Sequence, residues 1–306
     1  MSKAKCQPKI AVVGSSGLVG SKMVKVLRER SIAAKYFYFN SKNVLTEKKI
    51  VEIKPDFVLM AVSAELSAKW TPVFTENGAT VIDNSSYYRM HENVPLVVPE
   101  INPQDIFEYR SPIIANPNCS TIGSVVAFAP LCKKYKIKRV VYSTYQAISG
   151  AGANPKFGHP IANNLIPQID EFCENGNTKE EEKMINETKK ILHNNDISVT
   201  ATCVRVPIAN CHSVSINVEF FDKPDINEVK KILSKAKGVI LFDGNKYPMP
   251  ILADGKDNVF VGRLRMDNDN PNAINMFTVS DNLRKGAATN AVQILELLLK
   301  GKKNVK

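Results

Sequence analysis

The chain predicts two domains: a doubly wound α/β domain with a parallel sheet, then an α+β domain with a mixed, largely antiparallel sheet. Three observations carry this. A length of 306 residues suits two domains. In the first third, short β-branched runs alternate with helical apolar spacing, as in a parallel sheet covered by helices on both faces. Later, Val214, Ile216, Val218 and Phe220 alternate strictly with polar residues, which marks a strand with one face buried.

The elements follow in order. Lys9–Val13 is a strand, and Val19, Met23, Val26 and Leu27 recur at helical spacing within Gly17–Arg30. Tyr36–Phe39 is an aromatic strand, Phe57–Val62 a strand after Pro55-Asp56, Ala68–Glu76 a helix and Thr80–Ile82 a strand. Arg139–Ala147 is β-rich. Thr178 and Glu181 have capping-box spacing at the head of a helix over Thr178–His193. Strands Ile197–Val206 and Ser213–Phe221 flank a turn at Pro207; Ile274–Val279 is a strand and Ala287–Lys300 a closing helix.

Composition excludes several classes. Hydrophobic residues are 44% and charged residues 23%, a globular balance. No run approaches the roughly 18–20 apolar residues of a membrane span, and the start is too polar for a signal peptide. The expectation is a soluble cytoplasmic protein with no membrane partner. The net charge is +11, but the lysines are scattered apart from Lys300, Lys302, Lys303 and Lys306. Without a basic and aromatic stripe, that charge fits anionic small molecules better than nucleic acid. The six cysteines, Cys6, Cys119, Cys132, Cys173, Cys203 and Cys211, include no C-x-x-C pair, so no metal site is expected.

Two places carry chemistry. Gly14-Ser15-Ser16-Gly17-Leu18-Val19-Gly20 joins the first strand to the first helix. Glycines permit a tight turn and close backbone approach, and the helix start offers free N–H groups to a pyrophosphate. With a strand before it and a helix after it, this G-x-x-G-x-x-G run reads as a Rossmann-type dinucleotide site rather than a simple strand-to-helix connection. The acid that would grip an NAD ribose belongs at the end of the second strand, where the sequence reads Phe39-Asn40-Ser41-Lys42. A hydroxyl and a lysine suit a 2′-phosphate, hence NADP. The second place is Cys119 in Asn116-Pro117-Asn118-Cys119-Ser120-Thr121, ahead of the apolar helical run Ile122–Leu131, which Pro130 ends or kinks. A helix start favours the thiolate. Beside a nicotinamide, a thiolate suggests aldehyde chemistry through a thioester. Taken alone, this cysteine is equally a small buried residue.

Asn116–Thr121 resembles the active-site cysteine motif of aspartate-semialdehyde dehydrogenases, and the likeness runs nearly the whole chain. It includes Val81–Ser86 with Arg89, Val94–Asn102, Tyr145–Gly152, Thr178–Met184, Arg205-Val206-Pro207 with His212-Ser213, and Asp281–Ala288. The family reductively dephosphorylates L-aspartyl-4-phosphate to L-aspartate 4-semialdehyde with NADPH, in lysine, threonine and methionine biosynthesis. The resemblance implies Cys119 as nucleophile, His212 as acid/base and Gln146 as the group that orients the acyl-enzyme. It implies Arg205 for the substrate α-carboxylate, Glu180 for its amino group, and Arg89 and Lys183 for phosphate, with Asn118 in the same site. Gly14, Ser16, Gly17, Leu18, Val19, Gly20, Ser41, Ser149, Gly150 and Asn282 become cofactor contacts.

From the residues alone, His212 reads as a structural group; a surface reading of Arg205 is weakened by its apolar flanks Cys203-Val204 and Val206-Pro207, and Gln146 is equally a solvent-facing strand residue or a functional one. Glu180 and Lys183 read as an i,i+3 surface pair. One geometric point joins two of them: if the strands ending at Arg205 and beginning at His212 are neighbours, both side chains lie at one sheet edge. Cys211, adjacent to His212 and facing the other way, reads as packing.

The implied domains are 1–118 plus 286–306 for NADP, and 119–285 for catalysis and dimerisation. The expected assembly is a homodimer or a tetramer. Two stretches are shorter than in the family, Asn40–Asp56 and Ala153–Asn163, and the family's arginine after the second strand is replaced by Asn40. Two other readings are an N-acetyl-γ-glutamyl-phosphate reductase, whose acetylated substrate has no need of Glu180, and a non-catalytic NADP sensor.

Overall fold

A computed structural model describes residues 7–153 and 155–304. Cys6, Asn154 and Lys306 lie outside the described residues. Those residues form two compact units. The first holds the chain up to Pro99, Pro103–Pro117 and the chain from Ala287; the second holds Glu100–Asn102 and Asn118–Gly286.

The first unit runs β1 (Lys9–Val13), α1 (Leu18–Glu29), β2 (Lys35–Phe39), α2 (Glu47–Ile53), β3 (Phe57–Met60), α3 (Ala64–Glu76), β4 (Thr80–Asp83), α4 (Asp105–Glu108) and β5 (Ile113–Ala115). The strand order is β2-β1-β3-β4-β5, every pairing parallel. Continuous apolar runs make sense here because both faces are covered. Ile10, Val12, Phe57 and Leu59 enter one core with Met23, Val26 and Leu27 of α1. Ala11, Val13, Val58 and Met60 enter the opposite core with Ile50 of α2 and Phe74 of α3. The α3 helix begins at Ala64, earlier than the sequence predicts, because Ser63 Oγ caps it by accepting from the Leu66 N–H. The stretch between β2 and β3 holds α2.

The second unit runs α5 (Cys119–Phe128), β6 (Ile137–Gln146), α6 (Lys179–Ile191), β7 (Ser198–Arg205), β8 (His212–Phe220), α7 (Ile226–Ser234), β9 (Val239–Leu241), α8 (Pro250–Ala253), β10 (Val259–Met266) and β11 (Ala273–Ser280). Its sheet order is β7-β6-β8-β11-β10-β9. The three central pairings are antiparallel and the two outer ones parallel, the mixed sheet that the sequence predicts. On β8, Val214, Ile216, Val218 and Phe220 are buried, while Ser215, Asn217 and Glu219 are not. Pro130 lies in a 3₁₀ turn just after α5, so the helix ends before it. The predicted capping box of α6 is present: Glu181 N–H donates to Thr178 Oγ1, and Thr178 N–H donates to Glu181 Oε2 at 2.6 Å.

A π-helical turn, Arg284–Ala288, precedes α9 (Thr289–Asn304). This closing helix belongs to the first unit, where Ala291, Val292 and Leu295 pack with Met23 and Leu27. Among the described residues no helix is long and apolar enough to cross a membrane.

Candidate active site

In the second unit, strand pairing lines up three of the singled-out residues. Gln146 ends β6 opposite Arg205, which ends β7, and Tyr145 pairs with Ser213 beside His212 on β8. The condition under which the sequence would put Arg205 and His212 at one edge, that β7 and β8 be neighbours, is not met, because β6 lies between them. The shared edge survives by another route. Since β7 runs parallel to β6 and β8 runs antiparallel, the ends of β6 and β7 and the start of β8 meet at one side of the sheet. The closeness is tight: a Cβ built on Gly150 would lie 2.8 Å from Arg205 Nη1 and 2.9 Å from His212 Cε1.

The α5 helix brings Cys119 to this edge. Gly123 lets it approach the sheet, since a Cβ there would meet Ser280 Oγ at 2.5 Å. Gly286 packs directly on the cysteine, with an ideal Cβ only 2.9 Å from Cys119 Cβ. The turn that carries Gly286 is anchored by Lys285, fully buried against Glu100 Oε2 at 2.7 Å. Asn118 caps α5: its Oδ1 accepts from the N–H groups of Ser120 and Thr121 at 2.9 and 3.1 Å. Its own N–H donates to Glu187 Oε2 at 2.6 Å, and its Nδ2 to Glu180 Oε1 at 2.9 Å.

His212 Nε2 lies 3.2 Å from Cys119 Sγ. The other ring nitrogen, Nδ1, accepts the Ala147 N–H at 3.0 Å. A neutral ring that accepts at Nδ1 carries its proton on Nε2 and directs it at sulfur. This arrangement suits a thiolate, so the histidine acts here as a donor to sulfur. A ring with its lone pair on Nε2 would instead set an Nδ1–H against the Ala147 N–H. Burial, together with the nearby Arg205 cation, pushes His212 down to about 3.

That depression has a sign for stability. Above about pH 6.5 the ring is neutral both folded and unfolded. Below it the unfolded chain binds a proton that the native ring refuses until about pH 3. Stability therefore falls as pH drops from 6.5 toward 3. Thermal unfolding between pH 7.5 and 4.5 is expected to show a shallower fall for His212→Gln than for the wild type. Equal slopes would count against a buried neutral ring.

Arg205 is 4% exposed, so it is no surface arginine. Its Nη1 donates to Ala147 O at 2.6 Å, which fixes the guanidinium plane. Burial pulls its pKa down, opposed by Cys119 and Glu180. Gln146 is equally buried and donates through Nε2 to Glu180 Oε1 at 3.2 Å. Glu180 is also buried, so the surface-pair reading fails. Lys183 Nζ sits 3.4 Å from Glu180 Oε2 and 2.8 Å from Asp170 Oδ2. Ser149 and Asn282 meet, with Asn282 Nδ2 donating to Ser149 Oγ at 3.0 Å. Cys211 is buried packing, as expected, though for a different reason. It lies before β8 at φ 73° and packs with Ala253, Phe260 and Val279.

In the first unit, the glycine turn forms a cradle. Gly14 has φ +81°, and a Cβ on it would lie 2.2 Å from Ala61 O; one on Gly20 would lie 2.0 Å from Gly14 O. Only glycine fits either place. Ser16 and Gly17 are exposed, and no side chain caps α1. An open helix start with room for close backbone approach fits the diphosphate of a dinucleotide, with the N–H groups near Leu18 and Val19 at its mouth. After β2, Asn40 Oδ1 accepts from the Lys42 and Asn43 N–H groups, and its Nδ2 donates to Ser15 Oγ. Asn40 thus builds the turn that exposes Ser41. Arg89 is also in this unit, its Nε donating to Asn116 O and its Nη2 to Asn84 O.

Sequence reasoning missed three contributors. The Ala147 backbone serves both His212 and Arg205 and leaves no trace in residue type. Asp170 is thirteen residues from Lys183, in an irregular segment. Glu187 did leave a signal, seven residues after Glu180 on the same helix.

Comparison with known proteins decides the family. Residues 9–109 match the family model "Semialdehyde dehydrogenase, NAD binding domain", and residues 128–285 match "Semialdehyde dehydrogenase, dimerisation domain". An aspartate-semialdehyde dehydrogenase of Aquifex aeolicus is 45% identical, over 95% of this chain and 98% of that protein. The chain belongs to the aspartate-semialdehyde dehydrogenase family. A solved member of that family, aspartate semialdehyde dehydrogenase II of Vibrio cholerae complexed with ASA, superposes with a TM-score of 0.91 at 40% identity. It covers 96% of this chain and 98% of its own. The enzyme of Candida albicans, solved with NADP, gives a TM-score of 0.78 at 26% identity, covering 97% and 99%. Like other members, the chain thus joins a dinucleotide-binding domain to a dimerisation domain.

Proposed function

We propose that this chain catalyses the reversible, NADPH-dependent reductive dephosphorylation of L-aspartyl-4-phosphate to L-aspartate 4-semialdehyde. One observation carries the reading: Cys119 Sγ, at the start of α5, lies 3.2 Å from His212 Nε2 beside the buried Arg205. Sulfur attacks the acyl carbon, and the phosphate leaves with the electrons of the broken C–O bond, giving a thioester on Cys119. NADPH, when bound, would supply the hydride for reduction of this thioester. The resulting oxyanion accepts a hydrogen bond from His212 Nε2–H, then collapses to aldehyde and thiolate.

Recognition divides among fixed groups. Arg205, held by Ala147 O, offers the rest of its fork to the α-carboxylate. Glu180 offers a carboxylate to the free ammonium, which favours aspartyl substrates over acetylated ones. Gln146, tied to Glu180, orients the acyl group. Lys183 and Arg89 take the phosphate, and phosphate must replace Asp170 at Lys183. Ser16, Gly17 and Gly20 border the diphosphate, Ser41 the 2′-phosphate, and Ser149, Gly150 and Asn282 the nicotinamide side. The assembly proposed is a homodimer formed through the matched dimerisation domain.

The test is reduction of NADP by aspartate semialdehyde with and without phosphate, with NAD for comparison. Phosphate-dependent reduction, faster with NADP, is expected; a rate independent of phosphate would overturn the reading. Lys183→Met is expected to raise the KM for phosphate about tenfold or more while changing the KM for aldehyde little, as fits the loss of one charge-assisted bond. Equal rises would remove Lys183 from the phosphate site.

A further inference from the structure

The α6 helix presents a buried face in which Glu180, Met184, Glu187 and Ile191 recur at i, i+4, i+7 and i+11. On such a face apolar residues are the norm, and a buried carboxylate is costly unless it is well bonded. Glu180 has evident partners in Asn118, Gln146 and Lys183. Glu187 is more buried still, at 1% exposure, and its Oε2 lies 2.6 Å from the Asn118 N–H. That N–H opens the residue whose carbonyl carbon is bonded to Cys119.

Asn118 is thereby gripped at three points. Glu187 holds its backbone N–H, Glu180 holds its side-chain amide, and its own Oδ1 closes the first turn of α5. A residue so held has no freedom to rotate the peptide that follows. Two turns of one helix thus set the direction in which Cys119 leaves the backbone, and with it the Sγ position against His212 Nε2. The tolerance is small, because Gly286 packs against Cys119 from another side.

We propose that Glu187 is a positioning residue for the nucleophile, its carboxylate holding the N–H of Asn118, and through that residue the start of α5, so that Sγ meets the His212 Nε2–H. The proposal rests on Cys119 being the nucleophile. It predicts a role for the acceptor oxygen rather than for the charge, so glutamine should rescue what alanine loses.

The experiment compares wild type, Glu187→Gln and Glu187→Ala. Rates are expressed per Cys119 thiol titrated with iodoacetamide in the soluble, folded fraction and located by mass spectrometry, so that a loss of folded protein is not read as a loss of rate. Glu187→Ala is expected to lower kcat at least tenfold with both KM values within threefold, and Glu187→Gln to stay within threefold of wild type. The alkylation rate of Cys119 at pH 7 is expected to be at least fivefold slower in Glu187→Ala than in Glu187→Gln, two variants equally without the charge. Equal kcat per titrated thiol in all three proteins, with only the melting temperature lowered, would overturn the proposal. So would equal losses in both variants. A wild type without phosphate-dependent semialdehyde oxidation would sink the functional reading instead, while the alkylation comparison would still judge Glu187.

Discussion

Cys119→Ser is expected to lower semialdehyde oxidation by about four orders of magnitude or more, with NADP affinity unchanged. The loss follows from what the site does for sulfur. An N-terminal helix position and a neutral imidazole that donates Nε2–H both favour an anion at Sγ, and a thiol ionises within their reach. A serine hydroxyl titrates far higher, so the same surroundings leave it protonated. His212 cannot make up the difference as a base, because its Nδ1 is committed to the Ala147 N–H. Dinucleotide affinity should persist because the glycine cradle is a separate structure of the first unit. The checks are steady-state kinetics and calorimetric titration with NADP. Residual activity within a hundredfold of wild type would show that the covalent route is wrong.

The second large effect is expected for Arg205→Lys. Arg205 uses one nitrogen, Nη1, to lock onto Ala147 O, and the planar fork then points in a fixed direction. A lysine has one nitrogen, and either the anchor or the substrate contact must go. Charge-assisted bonds of this type are worth about 1.5–3 kcal/mol. The expected loss in kcat/KM is therefore roughly 10- to 150-fold, most of it in KM for the semialdehyde, with KM for phosphate within threefold. Without the guanidinium the smaller side chain also empties part of a buried space, so melting curves should accompany the kinetics. If KM for the semialdehyde is unchanged, Arg205 does not hold the carboxylate.

Much of this site was legible in the chain before any coordinates. The glycine turn reads directly because strand, turn and helix are contiguous, and Gly14 and Gly20 prove to be places where a Cβ would strike backbone. The α6 cap reads directly too, since Thr178 and Glu181 are three apart. Glu180 shows the limit. Its spacing to Lys183 suggested a solvated pair, and only packing shows that it is buried and bonded to Asn118 and Gln146. The neighbour relation of β7 and β8 was open in the sequence, because a short turn permits adjacency without requiring it, and β6 takes the place between them.

The sequence by itself determined the two kinds of domain, the phosphate-binding turn, the cysteine at a helix start and the family. Each of these is written in residues close along the chain, in patterns that local backbone geometry alone imposes. The tertiary structure decided that Gln146, Arg205 and His212 share an edge, that the imidazole proton faces sulfur, and that Glu187 holds the N–H of Asn118, the residue before Cys119. Those depend on contacts between residues 58 to 93 positions apart. Strand order and a backbone N–H set them, and neither leaves a mark in amino-acid type.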